Sequence, residues 1–292
     1  MKIFDFPCYE LKTKNGKFYA SSANEIAVFG GDGEKLNSFE IPHPSFLCFC
    51  EADSKELIAV SNTAGRVFSA HEDSGEITEI EVSEPYEGTE IVFAGDRLIW
   101  ADWNGRLMQY DFASGAISVD REMENSDVMP NHIIYSDKQN ACFIAATDRS
   151  NSECVLLRAA GDDFKPKKMQ LPFSERSLIP VCFDEREEKL FFCAENGKIK
   201  QCAITKDGKI EEEREIELKS KHSSFNEMIS VNSLLVLRNS DVLKAIEPQT
   251  GETVFEFNGS CLSSLYFADG VLCVGSWKAG YVFDFAEITG NK

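Results

Sequence analysis

Six glycine turns mark the chain at nearly even intervals, and that interval constrains the fold more than any other feature. They are Gly31-Asp32-Gly33, Asp73-Ser74-Gly75, Ala113-Ser114-Gly115, Ala160-Gly161-Asp162, Lys206-Asp207-Gly208 and Gln249-Thr250-Gly251. From Gly33 the steps between them are 42, 40, 46, 47 and 43 residues. Most are followed by a run that alternates polar and apolar, as in Glu76-Ile77-Thr78-Glu79-Ile80 and Glu252-Thr253-Val254-Phe255-Glu256-Phe257. Alternation is the period of a half-buried strand. The stretch from Leu98 to Gly115 shows the unit most clearly: a strand, the polar turn Asp102-Trp103-Asn104-Gly105, a second strand, then Ser114-Gly115. The inner runs, such as Phe46-Leu47-Cys48-Phe49-Cys50 and Leu190-Phe191-Phe192-Cys193-Ala194, are nearly continuous in apolar residues. Strands covered on both faces read that way. Helical spacing is not sustained anywhere.

Repeats of about 40–50 residues, each with about four strands, are the mark of a β-propeller. The expected fold class is all-β: seven four-stranded antiparallel blades in a single domain spanning 1–292. Six units end near residues 41, 82, 119, 171, 218 and 257. The seventh begins at Leu262 and supplies three strands, the last being Gly280-Tyr281-Val282-Phe283-Asp284-Phe285. Gly105 and Gly115 are ten residues apart, and the same step from Gly280 reaches Gly290, two residues before the chain stops. Residues 2–6, Lys2-Ile3-Phe4-Asp5-Phe6, have no partners of their own and fit as the missing outer strand. The termini then meet in one blade, and ring closure removes the open sheet edges.

Lys and Arg number 30 against 49 Asp and Glu, a net charge of −19. A nucleic-acid backbone or an anionic membrane is therefore a poor partner, and a protein with a basic patch is a better one. No stretch approaches the roughly 18 apolar residues of a membrane helix. The start of the chain carries no apolar run of signal-peptide length. Ten cysteines in such a chain are expected as reduced thiols packed like small hydrophobes. We expect a cytoplasmic protein, monomeric by itself.

At Ala245-Ile246-Glu247-Pro248-Gln249-Thr250-Gly251 the chain resembles the repeat of quinoprotein-type (PQQ-type) propellers, in which an acidic residue closing the third strand precedes a Thr-Gly turn. Tyr110-Asp111-Phe112-Ala113-Ser114-Gly115 is similar. Unit length and the strand ends Tyr110-Asp111 and Phe283-Asp284 also resemble the WD-repeat superfamily. The resemblance implies a propeller scaffold, most often a protein-interaction platform, and implies no cofactor.

In such propellers the loops between second and third strands share one face with the loops joining blades. Two of the three tryptophans, Trp103 and Trp277, fall in equivalent second-to-third loops, with Asp102, Asn104 and Lys278 beside them. Aromatic anchors on a loop-lined face suit partner binding. The blade-joining loops add Tyr86, and Glu84, Glu87, Glu122 and Glu124 as an acidic sector. These ten residues are the expected partner-binding set. Cys48 and Cys50 share one strand face without the two-residue spacer of a zinc site, and the four histidines have no paired spacing, so no metal ligands are assigned. No phosphate loop and no nucleophile elbow is present. The expectation is a non-enzymatic protein-binding scaffold. The alternative is a propeller enzyme, a hydrolase, lactonase or lyase, with its site at the mouth of the central channel.

Overall fold

A computed structural model describes the chain apart from residues 53–54, 121–126, 162–163, 176–179, 195–196, 206–208, 219–223 and 291–292. The described residues form seven four-stranded antiparallel sheets. Blade 1 runs from Glu10 to Glu40, blade 2 from Pro44 to Ile80, blade 3 from Val92 to Asp120 and blade 4 from Val128 to Met169. Blade 5 spans Val181 to Ile216, and blade 6 spans Glu227 to Asn258. Blade 7 takes Leu262–Ala268, Val271–Ser276 and Gly280–Asp284, and its outer strand is Lys2–Phe4 from the other end of the chain. That strand pairs Lys2 with Val282, Ile3 with Tyr281 and Phe4 with Gly280. The first strands of neighbouring blades lie side by side around the centre.

Period-2 alternation builds the core. In the strand Arg97–Ala101, Leu98 and Trp100 point to one side and pack with Leu57, Ala59 and Val67 of blade 2. Ile99 and Ala101 point to the other side and pack with Ile133, Cys142 and Ile144 of blade 4. Both faces of each sheet are thus buried, which is why the inner runs are apolar throughout. Seven hydrophobic clusters result among the described residues, one in each seam between blades.

The turn takes one form in blades 2, 3 and 6, while in blade 1 the Gly33 N–H donates to Gly30 O, three residues back, at 2.9 Å. The glycine N–H donates to the carbonyl four residues back in Gly75 to His71, Gly115 to Asp111 and Gly251 to Glu247, each at 2.9 Å. These glycines sit at φ of +70°, +65° and +71°. The left-handed conformation ends the third strand and starts the fourth, and glycine adopts it without steric cost. The turn at Lys206-Asp207-Gly208 lies outside the described residues. At the last repeat a single helical turn, Phe285–Ile288, capped by the Asp284 carboxylate on Ala286 N at 2.9 Å, leads into Gly290.

Gly65 meets a stricter demand. It sits at φ +75°, and a Cβ there would lie 2.2 Å from the backbone carbonyl of Tyr86 in the connector between blades 2 and 3. Gly95, at φ +68°, faces open space. Gly95→Ala should cost only its backbone strain, about 1 kcal/mol. Gly65→Ala adds displacement of the connector and should lose about 1–3 kcal/mol more. Urea unfolding midpoints of the two variants check the difference.

Candidate functional site

The loops between second and third strands hydrogen-bond to the blade-joining connectors, which places both sets on one face. Thr63 N donates to His43 O at 3.2 Å, Trp103 N to Glu87 O at 3.0 Å, Arg149 N to Asp127 O at 2.7 Å and Trp277 N to Cys261 O at 3.1 Å. The first strands begin at this face, so the same loops surround one mouth of the central channel.

Blade 3 shows how its loop is built. Asp102 Oδ1 accepts from Asn104 N at 3.1 Å and Arg106 N at 2.9 Å, closing the turn. Asn62 holds the equivalent turn of blade 2, accepting from Ala64 N and Arg66 N at 3.0 Å. Asp102 is the charged version of this device, and its other oxygen meets the Arg106 guanidinium at 2.5 Å. Arg106 continues outward, donating to the carbonyls of Ser83 at 3.4 Å and Glu84 at 2.6 Å. The pair thereby fastens the connector that carries Glu84, Tyr86 and Glu87.

The expected partner-binding residues therefore divide. Asp102 differs from expectation: it is 0% exposed, and its carboxylate is consumed by the turn and by Arg106. It shapes the face from beneath. Trp103 (37% exposed), Trp277 (66%) and Tyr86 (48%) are among the large apolar side chains left in solvent. Asn104, Lys278 and Glu84 are exposed as well, and Glu87 is half-buried. Trp277 meets Tyr9 edge-on, with ring centroids 6.0 Å apart. Lys278 reaches the Ser260 hydroxyl at 3.3 Å. The Trp103 carbonyl accepts from Arg149 of blade 4 at 3.1 Å, clipping two neighbouring loops together. Glu122 and Glu124 lie outside the described residues.

The mouth itself holds charges that the sequence reading did not assign. A small cavity there, about 80 Å³, is lined by Tyr9, Glu10, Phe46, Glu90, Glu227 and Arg238 among others. Glu10 pairs with Lys12 at 2.9 Å and also accepts from Leu47 N of blade 2. Glu227 pairs with Arg238 at 2.7 Å, and Arg238 donates onward to the carbonyls of Leu262 at 3.1 Å and Ser263 at 2.5 Å in blade 7. Toward the opposite end of the first strands, Asp184 of blade 5 accepts from Ser230 of blade 6 at 2.5 Å. Glu90 pairs with His132 at 2.8 Å. Burial pushes Glu10 and Glu227 above the usual carboxylate range in spite of their cations. These groups stitch blade to blade around the ring.

Cys48 lies near Lys12 and Tyr266, and burial pushes its thiol up to about 11. Cys50 is buried in the seam between blades 2 and 3, with its thiol pushed up to about 12 by burial. Thiols held this high are poor nucleophiles and poor ligands. Among the described residues no group of three or more His, Cys, Asp or Glu is placed to hold a metal ion, and no helix is long and apolar enough to cross a membrane.

A closed ring of seven four-stranded blades, with its loops gathered around the mouths of a central channel, defines the class: a seven-bladed β-propeller. No protein-family model and no curated protein sequence matches the chain. Among solved structures it is similar to the Cps50 (Swd1) β-propeller domain of Myceliophteria thermophila, with a TM-score of 0.72 at 10% identity, over 97% of this chain and 98% of that one. It is also similar to the computationally designed Ika8 protein, with a TM-score of 0.64 at 16% identity, over 94% of this chain and 83% of that one. At such identities the likeness is one of fold.

Proposed function

We propose that the protein is a non-enzymatic scaffold that docks a protein partner on the loop face carrying Trp277, Trp103 and Tyr86. The observation that carries this reading is Trp277, 66% exposed on the loop face that also exposes Trp103 and Tyr86, in a ring whose seams between blades are packed with buried apolar side chains. Leaving an indole in water has a cost that burial against a partner recovers, and large aromatics supply most of the energy at interface hot spots. Glu84 and Glu87 add negative charge beside Tyr86, and the whole protein carries −19. A partner with a basic patch is drawn to such a face faster and in a preferred orientation. The likeness of the repeats to WD-repeat and quinoprotein-type propellers belongs to the same reading. The strand ends Tyr110-Asp111 and Phe283-Asp284 and the Glu247-to-Gly251 turn support it. Ten cysteines outside any disulfide suit a cytoplasmic home.

The test is the Trp103→Ala/Trp277→Ala double variant. Both side chains are solvent-exposed, so each change should alter stability by no more than about 0.5 kcal/mol. Capture of the native partner by the folded variant should fall by at least about tenfold in affinity, the scale of a single hot-spot loss. Undiminished capture would place the interface elsewhere. Stoichiometric bound calcium or zinc in the purified protein would overturn the scaffold reading in favour of an enzyme at the channel mouth.

A further inference from the structure

His132 stands in the first strand of blade 4, Val128–Ser136, where pairing with the next strand slips by a residue between Pro130 and His132. A slip of this kind bends the strand and re-aims its side chains. Here it accompanies an imidazole that is 13% exposed at the channel. Nδ1 lies 2.8 Å from Oε1 of Glu90, in the connector entering blade 3. The other Glu90 oxygen accepts from Ile133 N at 3.4 Å, so the carboxylate is fixed to blade 4 at two points. A neutral imidazole has one N–H and an imidazolium has two. A carboxylate fixed to blade 4 and set against Nδ1 matches the imidazolium.

We propose that His132 is a proton-held clamp: as an imidazolium it ties blades 3 and 4 together at the channel mouth, and the mouth loosens when that proton leaves. This stands apart from the docking reading and survives its failure. Burial alone would favour the neutral ring, but the Glu90 carboxylate outweighs it, and His132 is held above its ordinary 6.5. Burial likewise opposes ionised Glu90, but His132 outweighs it, and Glu90 is held below its ordinary 4.5. The other charged groups facing the pair are Glu227, which favours the imidazolium and is itself neutralised by Arg238, and beyond it Glu10 with its partner Lys12. The contribution of His132 is complete below 6.5 and is lost as pH rises through its raised folded value. The contribution of Glu90 is complete above 4.5 and is lost as pH falls through its lowered folded value. The clamp is at full strength between those limits. The raised carboxylates Glu10 and Glu227 also weaken the fold as they ionise, so a variant must separate their share.

Urea unfolding of wild type, His132→Gln and Glu227→Gln, followed from about pH 6 to about pH 9, provides that separation. The wild-type unfolding constant should rise about fivefold more than that of His132→Gln across the range, with the two curves converging at high pH, while Glu227→Gln keeps most of the wild-type slope. Parallel curves for wild type and His132→Gln would overturn the clamp. Should His132→Gln not fold, imidazole ¹⁵N spectra of the wild type decide. Protons on both ring nitrogens at about pH 6, with a titration that moves to lower pH in Glu90→Gln, are expected; a single proton there, or a titration unmoved by Glu90→Gln, contradicts it.

Discussion

Replacing Phe4 with alanine should cost about 3–5 kcal/mol, among the largest losses available to a single substitution in this chain. Phe4 is 4% exposed and sits in the seam between blades 7 and 1. Its ring lies 5.1 Å from that of Phe18 and 5.3 Å from that of Phe29, and Phe6 adds a contact to Phe29 at 5.4 Å. The outer strand has just three residues, Lys2–Phe4, so its backbone hydrogen bonds alone hold it weakly. The Phe4 side chain supplies the apolar burial that docks it. Ile3, next in the strand, faces outward at 56% exposure. Ile3→Ala should change stability by no more than about 0.5 kcal/mol. Thermal or urea unfolding of the two variants measures the contrast. Equal effects would mean that the strand is held by pairing and that Phe4 does not fasten the ring.

Asp102→Ala should cost about 3–5 kcal/mol as well, for a different reason. The substitution removes a carboxylate that is 0% exposed and leaves the Arg106 guanidinium, 4% exposed, with the Ser83 and Glu84 carbonyls and, as its remaining counter-ion, the solvent-exposed Glu84 carboxylate at 3.9 Å. It also frees the N–H groups of Asn104 and Arg106. Truncating one partner of a buried pair costs more than the pair contributes, because the remaining charge stays out of water. The double variant Asp102→Ala/Arg106→Met should therefore be less damaged than Asp102→Ala alone. Hydrogen exchange in residues 83–90 should rise in both, since the connector loses its anchor. A single variant no less stable than the double one would contradict this account of the loop.

The blades were legible in the sequence because each carries its own signals. The turn glycines fix the third-to-fourth strand step, alternation separates the sides of each sheet, and the unpaired run Lys2–Phe6 asks for a place in the unit that lacks a fourth strand. The face of the loops followed from that register, and Trp277 and Trp103 stand on it in solvent. Asp102 misled, because a polar residue in a turn beside tryptophan reads as surface. The spacing that could have revealed its role is Asp102 to Arg106 across Gly105, one acid and one base flanking a turn. The channel charges were hidden for a more general reason. Glu90 and His132 meet across 42 residues of sequence, and Glu10 and Glu227 approach one another from distant blades. Period-2 patterning says which side of a strand a residue takes, not which blade it faces across the channel. A charged residue within an inner apolar strand, as in Glu10-Leu11-Lys12, is the trace such pairs leave.

The proposed docking face is tested most directly by amide hydrogen exchange of the native complex against the free protein. Protection should concentrate in the loops at 84–90, 101–106 and 276–279, around Tyr86, Trp103 and Trp277. Protection confined to the opposite face, at the turns around Asn232, Asp269 and the helical turn Phe285–Ile288, would contradict it.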